Sequence, residues 1–143
     1  MKLVALGVDY RSAPAKVREA LAFNGPEGLE ALAQAFPGNE LVVLSTCNRV
    51  EVYAAGEADL VPGLTPLSEF LASFHGLPSS SFSGHLVSYH DEGALQHLFR
   101  VAASLESLVL GEGQILGQVR EAFRAAQCQG KVGPVLHLSL IHI

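Results

Sequence analysis

Residues 40–54 constrain the fold of this chain more than any other stretch. Glu40-Leu41-Val42-Val43-Leu44-Ser45 is an apolar run with β-branched members, and Val50-Glu51-Val52-Tyr53-Ala54 is a second run with period two. Only Thr46-Cys47-Asn48-Arg49 separates them. Two such runs joined by so short a turn predict an antiparallel hairpin, so the fold must contain an antiparallel sheet. In the second run Val50, Val52 and Ala54 alternate with Arg49, Glu51 and Tyr53, which predicts a half-buried strand.

The remaining elements follow from the same kind of reading. Residues 3–8 predict a strand. Ser12 or Ala13 is expected to cap a short helix over residues 15–23, with Pro14 tolerated in the first turn. A second helix is expected over 26–36, with Leu29, Leu32, Ala33 and Phe36 on one face, and a third over 67–75. Residues 56–63 predict a loop, and 85–89 a fourth strand. Asp91 is the expected N-cap of a helix that carries Ala94, Leu95, Leu98, Val101, Ala102 and Leu105 at helical spacing. A last helical run spans about 113–129. This order predicts an α+β fold of the split βαβ, ferredoxin-like kind, followed by the start of a helical segment.

Cys47 is the chemical focus of the hairpin. An apolar strand delivers its thiol to a fixed place, and a hydroxyl, an amide, a guanidinium and a carboxylate lie within four residues. The thiolate is the nucleophilic form, and neighbouring positive charge such as Arg49 favours it. That makes Cys47 a candidate for covalent catalysis. The plainer reading is a small hydrophobe at a strand end, and the residues alone leave both open. Arg49 is open in the same way: it either pairs with Glu51 on its own strand face or grips a substrate carboxylate with its planar fork. His97 falls on the edge of the apolar helix face, either as a satisfied half-buried side chain or as a neutral imidazole that moves protons near a thiolate. His90 is its neighbour and competitor.

Composition narrows the function classes. The 143 residues fit one domain, 49% hydrophobic and 16% charged. A net charge of −5 with nine scattered Lys and Arg argues against a general nucleic-acid binder. Two unspaced cysteines do not make a zinc site. No stretch approaches the roughly 20 apolar residues of a membrane span, and the N-terminal apolar run is too short for a signal peptide. The cytoplasm is the expected compartment, with both thiols reduced and no Cys47–Cys128 bond. Gly111-Glu112-Gly113-Gln114-Ile115-Leu116-Gly117 is one residue too long for a dinucleotide turn and lacks the acidic partner that such a motif requires.

Three stretches carry a family resemblance. Leu44-Ser45-Thr46-Cys47-Asn48-Arg49-Val50-Glu51-Val52-Tyr53 resembles the thiol-containing signature of glutamyl-tRNA reductase. His97-Leu98-Phe99-Arg100-Val101-Ala102, Ser107-Leu108-Val109-Leu110-Gly111-Glu112 and Gln114-Ile115-Leu116-Gly117-Gln118-Val119 match a second signature in the right order. Gly7-Val8-Asp9-Tyr10-Arg11-Ser12-Ala13-Pro14 is similar to that family's first strand and turn. There are two departures. Ala103-Ser104-Leu105-Glu106 stands where the family commonly has small-Gly-Leu-Asp, and Gly113 where it commonly has Pro.

The resemblance implies the family's N-terminal catalytic domain over the whole chain, 1–143, with about 136–143 atypical. It implies Cys47 as nucleophile and His97 as the histidine important for activity. Thr46, Asn48, Arg49, Ser107, Glu112, Gly113, Gln114 and Gln118 would then contact the glutamyl group. The activity implied is attack of the thiolate on glutamyl-tRNA to give a thioester, then NADPH-dependent reduction to glutamate-1-semialdehyde in tetrapyrrole biosynthesis. The NADPH-binding domain and the dimerising helices are expected beyond residue 143, so this chain would be limited to the thioester or esterase half-reaction. Glutamyl-tRNA is the implied partner, with a homodimer for the full-length protein and the glutamate-1-semialdehyde aminomutase as a further partner. The competing readings are a small Cys/His thiol hydrolase or acyltransferase, and a non-catalytic interaction domain.

Overall fold

Strand β1 (Lys2–Asp9) runs through the middle of the molecule and is flanked on both sides. The computed structural model describes residues 1–103 and 114–133. Helices α1 (Ala15–Leu21) and α2 (Glu27–Ala35) lead from β1 to β2 (Glu40–Ser45). β3 (Arg49–Gly56) follows, then α3 (Leu64–His75) and β4 (Val87–His90). Helices α4 (Glu92–Ala102) and α5 (Gln114–Cys128) close the described chain. The sheet is antiparallel in the order β2-β3-β1-β4, which is the split βαβ arrangement expected from the element order.

The register sorts side chains into two faces. Val4, Leu6 and Val8 of β1 lie opposite Ala54, Val52 and Val50 of β3. Ala5, Gly7 and Asp9 lie opposite Tyr53, Glu51 and Arg49 and point the other way. Ser45, on the first face, accepts a hydrogen bond from the Phe23 amide, so the α1–α2 connection lies on that side. His97 of α4 meets Glu51, so α4 lies on the second face, and α5 packs beside α4 and against β2. Leu21, Leu29, Leu32, Leu67 and Leu71 bury the inner faces of α1–α3, each worth about 1.5–3 kcal/mol of transfer energy. Ile115, Val119, Phe123 and Ala126 form the buried stripe of α5 at helical spacing.

At Gly7 the two central strands come unusually close. A β carbon there would stand 2.0 Å from the Val50 carbonyl oxygen, so only glycine fits opposite Glu51.

Several sequence expectations need correction. β3 is buried along its entire length rather than on one face. Its polar residues mimic a solvent-facing set, but they satisfy one another beneath α4. Pro14, not Ser12 or Ala13, takes the N-cap of α1. Ser12 is held in the preceding turn, where its hydroxyl accepts from the Asp9 amide and its own amide donates to Asp9 Oδ1. Asp91 occupies the N-cap of α4 without capping it. At φ 51° its carboxylate accepts instead from the Leu3 amide, tying β1 to the start of α4. α1 stops at Leu21, and α3 begins at Leu64 inside the expected lead-in. β4 begins at Val87 because Ser83–His85 forms a short 3-10 turn, with His85 Nδ1 against the Ser12 carbonyl oxygen. The expected helical position Leu105 lies outside the described residues.

Candidate active site at the β2–β3 hairpin

The hairpin loop between β2 and β3 is Thr46-Cys47-Asn48. The Thr46 amide donates to the Arg49 carbonyl at 2.8 Å. Thr46 Oγ1 accepts from the Asn48 and Arg49 amides at 3.1 and 3.2 Å. None of the three loop residues has positive φ. The Thr46 hydroxyl takes the place of a backbone acceptor and closes the turn. Cys47 is exposed and unpaired, and so is Cys128. The Cys47 carbonyl accepts from Arg18 Nε at 3.2 Å, while Arg18 Nη1 donates to the Ala13 carbonyl at 2.7 Å.

Directly after the loop, the second sheet face carries a buried polar network. Glu51 is its hub. Its Oε2 accepts from Arg49 Nη1 at 3.0 Å and lies 2.5 Å from His97 Nε2. Its Oε1 accepts from the Tyr53 hydroxyl at 2.9 Å. The Tyr89 ring lies flat on the His97 imidazole, with centroids 3.9 Å apart and planes 10° apart. Arg49, Tyr53 and His97 are 1%, 1% and 3% exposed. A carboxylate paired with Arg49 has no proton to give, so Nε2 of His97 carries the proton and donates it to the hydrogen bond. In the neutral ring this makes Nδ1 the basic nitrogen. Burial, and then the adjacent Glu51 carboxylate, push the Tyr53 phenol well above its usual value of 10.0, so it stays a donor. Removing one member of such a network strands the others without water.

The structure therefore brings Arg49 and His97 together through Glu51 and leaves Cys47 at the surface, two residues before Arg49. No hydrogen bond joins the Cys47 thiol to His97 among the described residues. Arg49 links the two regions, because it is both the closing residue of the turn and a member of the network. Gln118 is half-buried on α5. It lines a groove of about 640 Å³ that runs along the β2 edge past Phe23, Leu29, Val43 and Ser45. Gln114 opens α5. Ser107, Glu112 and Gly113 lie outside the described residues, as do residues 136–143.

The described residues do not fit a dinucleotide. Gly117 lies within α5, and the element described before α5 is helix α4. A pyrophosphate cradle needs a strand running into a glycine turn at a helix N-terminus. None is formed among the described residues.

Sequence reasoning missed Glu51 as the hub, Tyr53 and Tyr89 as partners of the network, and Arg18 as a contact of the nucleophile turn. The spacing of Arg49, Glu51 and Tyr53 on one strand face was the signal for the first two. Tyr89 and Arg18 reach the site across elements distant in sequence and leave no local pattern.

The chain is similar to known proteins over nearly its whole length. A sequence profile described as "Glutamyl-tRNAGlu reductase, N-terminal domain" matches residues 6–142. The glutamyl-tRNA reductase of Chloroflexus aggregans is 47% identical over 147 residues, covering 96% of this chain and 32% of its own. That of Syntrophotalea carbinolica is 43% identical over 140 residues, covering 96% and 31%. The structure of glutamyl-tRNA reductase from Methanopyrus kandleri superposes with a TM-score of 0.78 at 30% identity, over 96% of this chain and 31% of that one. The chain thus spans about a third of the length of these relatives. No described helix is long and apolar enough to cross a membrane. A family profile that matches residues 6–142, and relatives up to 47% identical over nearly the whole chain, show that this chain belongs to the glutamyl-tRNA reductase family, as that family's N-terminal domain.

Proposed function

We propose that this chain carries out the acyl-transfer half of glutamyl-tRNA reduction. The Cys47 thiolate attacks the carbonyl carbon of the ester between glutamate and the tRNA 3′ end. The carbon–sulfur bond forms, the carbon–oxygen bond breaks, and the tRNA hydroxyl leaves with a proton. His97 is the proton carrier, with Nδ1 as its basic nitrogen and Glu51 holding the ring. The supporting observation is an exposed thiol on a short hairpin loop whose following residue, Arg49, is anchored in a buried polar network.

Thr46, Asn48 and Gln118 are the described residues we place around the glutamyl group. Ser107, Glu112, Gly113 and Gln114 join them by family motif. Of the two readings open for Arg49, the pairing with Glu51 is formed. Its burial favours a role in holding the turn over direct contact with substrate.

The reduction to glutamate-1-semialdehyde, for tetrapyrrole synthesis, needs NADPH. We assign it to sequence beyond these residues, since the relatives are about three times as long. The same family reading supports a cytoplasmic protein. It gives the full-length protein a homodimeric form and the aminomutase as the next enzyme to take the aldehyde.

The test is intact protein mass after mixing with glutamyl-tRNA. Wild type should gain one glutamyl group, and Cys47→Ser should gain none. A folded wild type that neither gains the group nor deacylates the tRNA contradicts the proposal. Equal turnover of small free esters would instead favour a general thiol hydrolase.

A further inference from the structure

We propose that Arg18 is a positioning residue for the nucleophile, clasping the Cys47 loop to the body of the domain. The inference rests on the reading of Cys47 as the acyl acceptor.

The loop is poorly secured by its own backbone. Thr46 satisfies the Asn48 and Arg49 amides, but no other hydrogen bond among the described residues reaches the Cys47 backbone than the one from Arg18 to its carbonyl. None of the three loop residues has the positive φ that locks the tightest hairpin turns. The far side of the guanidinium is anchored firmly. Arg18 Nη1 donates at 2.7 Å to the carbonyl of Ala13, which is buried and whose amide is bonded to Asp9 at the end of β1. Asp9 in turn lies opposite Arg49 in the sheet register. One rigid fork therefore spans two loops that leave the same end of the central strands, and it lands on the residue that carries the thiol.

The planar guanidinium sets both donors at a fixed spacing, which a lysine ammonium cannot reproduce. Acyl transfer depends on placing the sulfur within a few tenths of an ångström of an attack geometry, and small misplacement costs rate more than binding. Arg18 is thus expected to act on the maximal rate.

The experiment compares Arg18→Ala, Arg18→Lys and wild type, with Lys2→Ala as a charge control at the opposite end of β1. Amide hydrogen exchange at Asn48 and Arg49 reads the clasp without any chemistry. Single-turnover acylation by glutamyl-tRNA, followed by intact mass, separates the maximal rate from the half-saturating tRNA concentration.

Arg18→Ala should exchange several-fold faster at both amides. It should lower the maximal acylation rate about tenfold or more with a smaller change in half-saturation. Arg18→Lys should recover only part of the rate, and Lys2→Ala should match wild type. Unchanged exchange overturns the clasp. Faster exchange with an unchanged maximal rate overturns the positioning role. A defect confined to half-saturation makes Arg18 a tRNA contact and overturns it equally. If wild type itself forms no adduct, the reading of Cys47 fails and the positioning role falls with it, while exchange still reports on the clasp.

Discussion

The two faces of β3 are buried to the same depth by different physics. Val50, Val52 and Ala54 pack against Leu6 and the helices α1–α3, where transfer from water is the stabilising term. Arg49, Glu51 and Tyr53 lie under α4, where burial is tolerable because the Glu51 carboxylate pairs with Arg49, Tyr53 and His97. The first face is forgiving of shape-preserving change. The second depends on one carboxylate, since Arg49, Tyr53 and His97 all meet Glu51. It is also the face that continues into the Cys47 loop, so the costly burial lies next to the proposed chemistry.

Breaking the polar face at its hub should produce the largest effect. Glu51→Ala leaves the Arg49 guanidinium buried without its carboxylate, and the loss should be about 3–5 kcal/mol in urea unfolding. A loss below about 1 kcal/mol would show that the network is not closed to water. The apolar face gives the matched case. Leu6→Ala, opposite Val52, should cost about 2–4 kcal/mol through lost transfer energy and a cavity, with little effect on the Cys47 loop.

Tyr53→Phe is the mildest cut, because it removes one hydroxyl and keeps the ring. At neutral pH it should cost about 1 kcal/mol. Its pH dependence is more informative. The folded phenol ionises well above 10.0, whereas the unfolded one ionises near it, so the folded state holds more protons in alkaline solution. This contribution is complete below pH 10 and is lost as pH rises further. Tyr53→Phe should therefore unfold less steeply than wild type above pH 10. An identical alkaline slope in the two proteins would place the Tyr53 hydroxyl in water.

The same contrast explains what was legible in the sequence. The apolar periodicities of 3–8, 41–45 and 50–54, and those of the helices, are generated by burial itself, so they predicted the element order and the split βαβ arrangement. Alternation in β3 was read as half-burial because Arg49, Glu51 and Tyr53 resemble a solvated face. Only the partner across the layer, His97, distinguishes a solvated glutamate from a buried one. That pairing spans 46 residues and leaves no periodic trace. Cys47 and its turn were legible because their chemistry is local. The Arg18 contact, 29 residues away, was not. Asp91 illustrates the reverse error: a residue well suited to capping was drawn instead to the Leu3 amide on the neighbouring strand.

The central claim is that the buried face serves the thiol at the loop, and Glu51→Gln tests it most directly. The amide keeps the shape and can still bond Tyr53, but it cannot hold His97 and Arg49 as a carboxylate does. Single-turnover acylation of Cys47 by glutamyl-tRNA should slow by roughly ten- to a hundredfold in a protein that still unfolds cooperatively. A folded Glu51→Gln that acylates at the wild-type rate would contradict the account and reduce the network to packing.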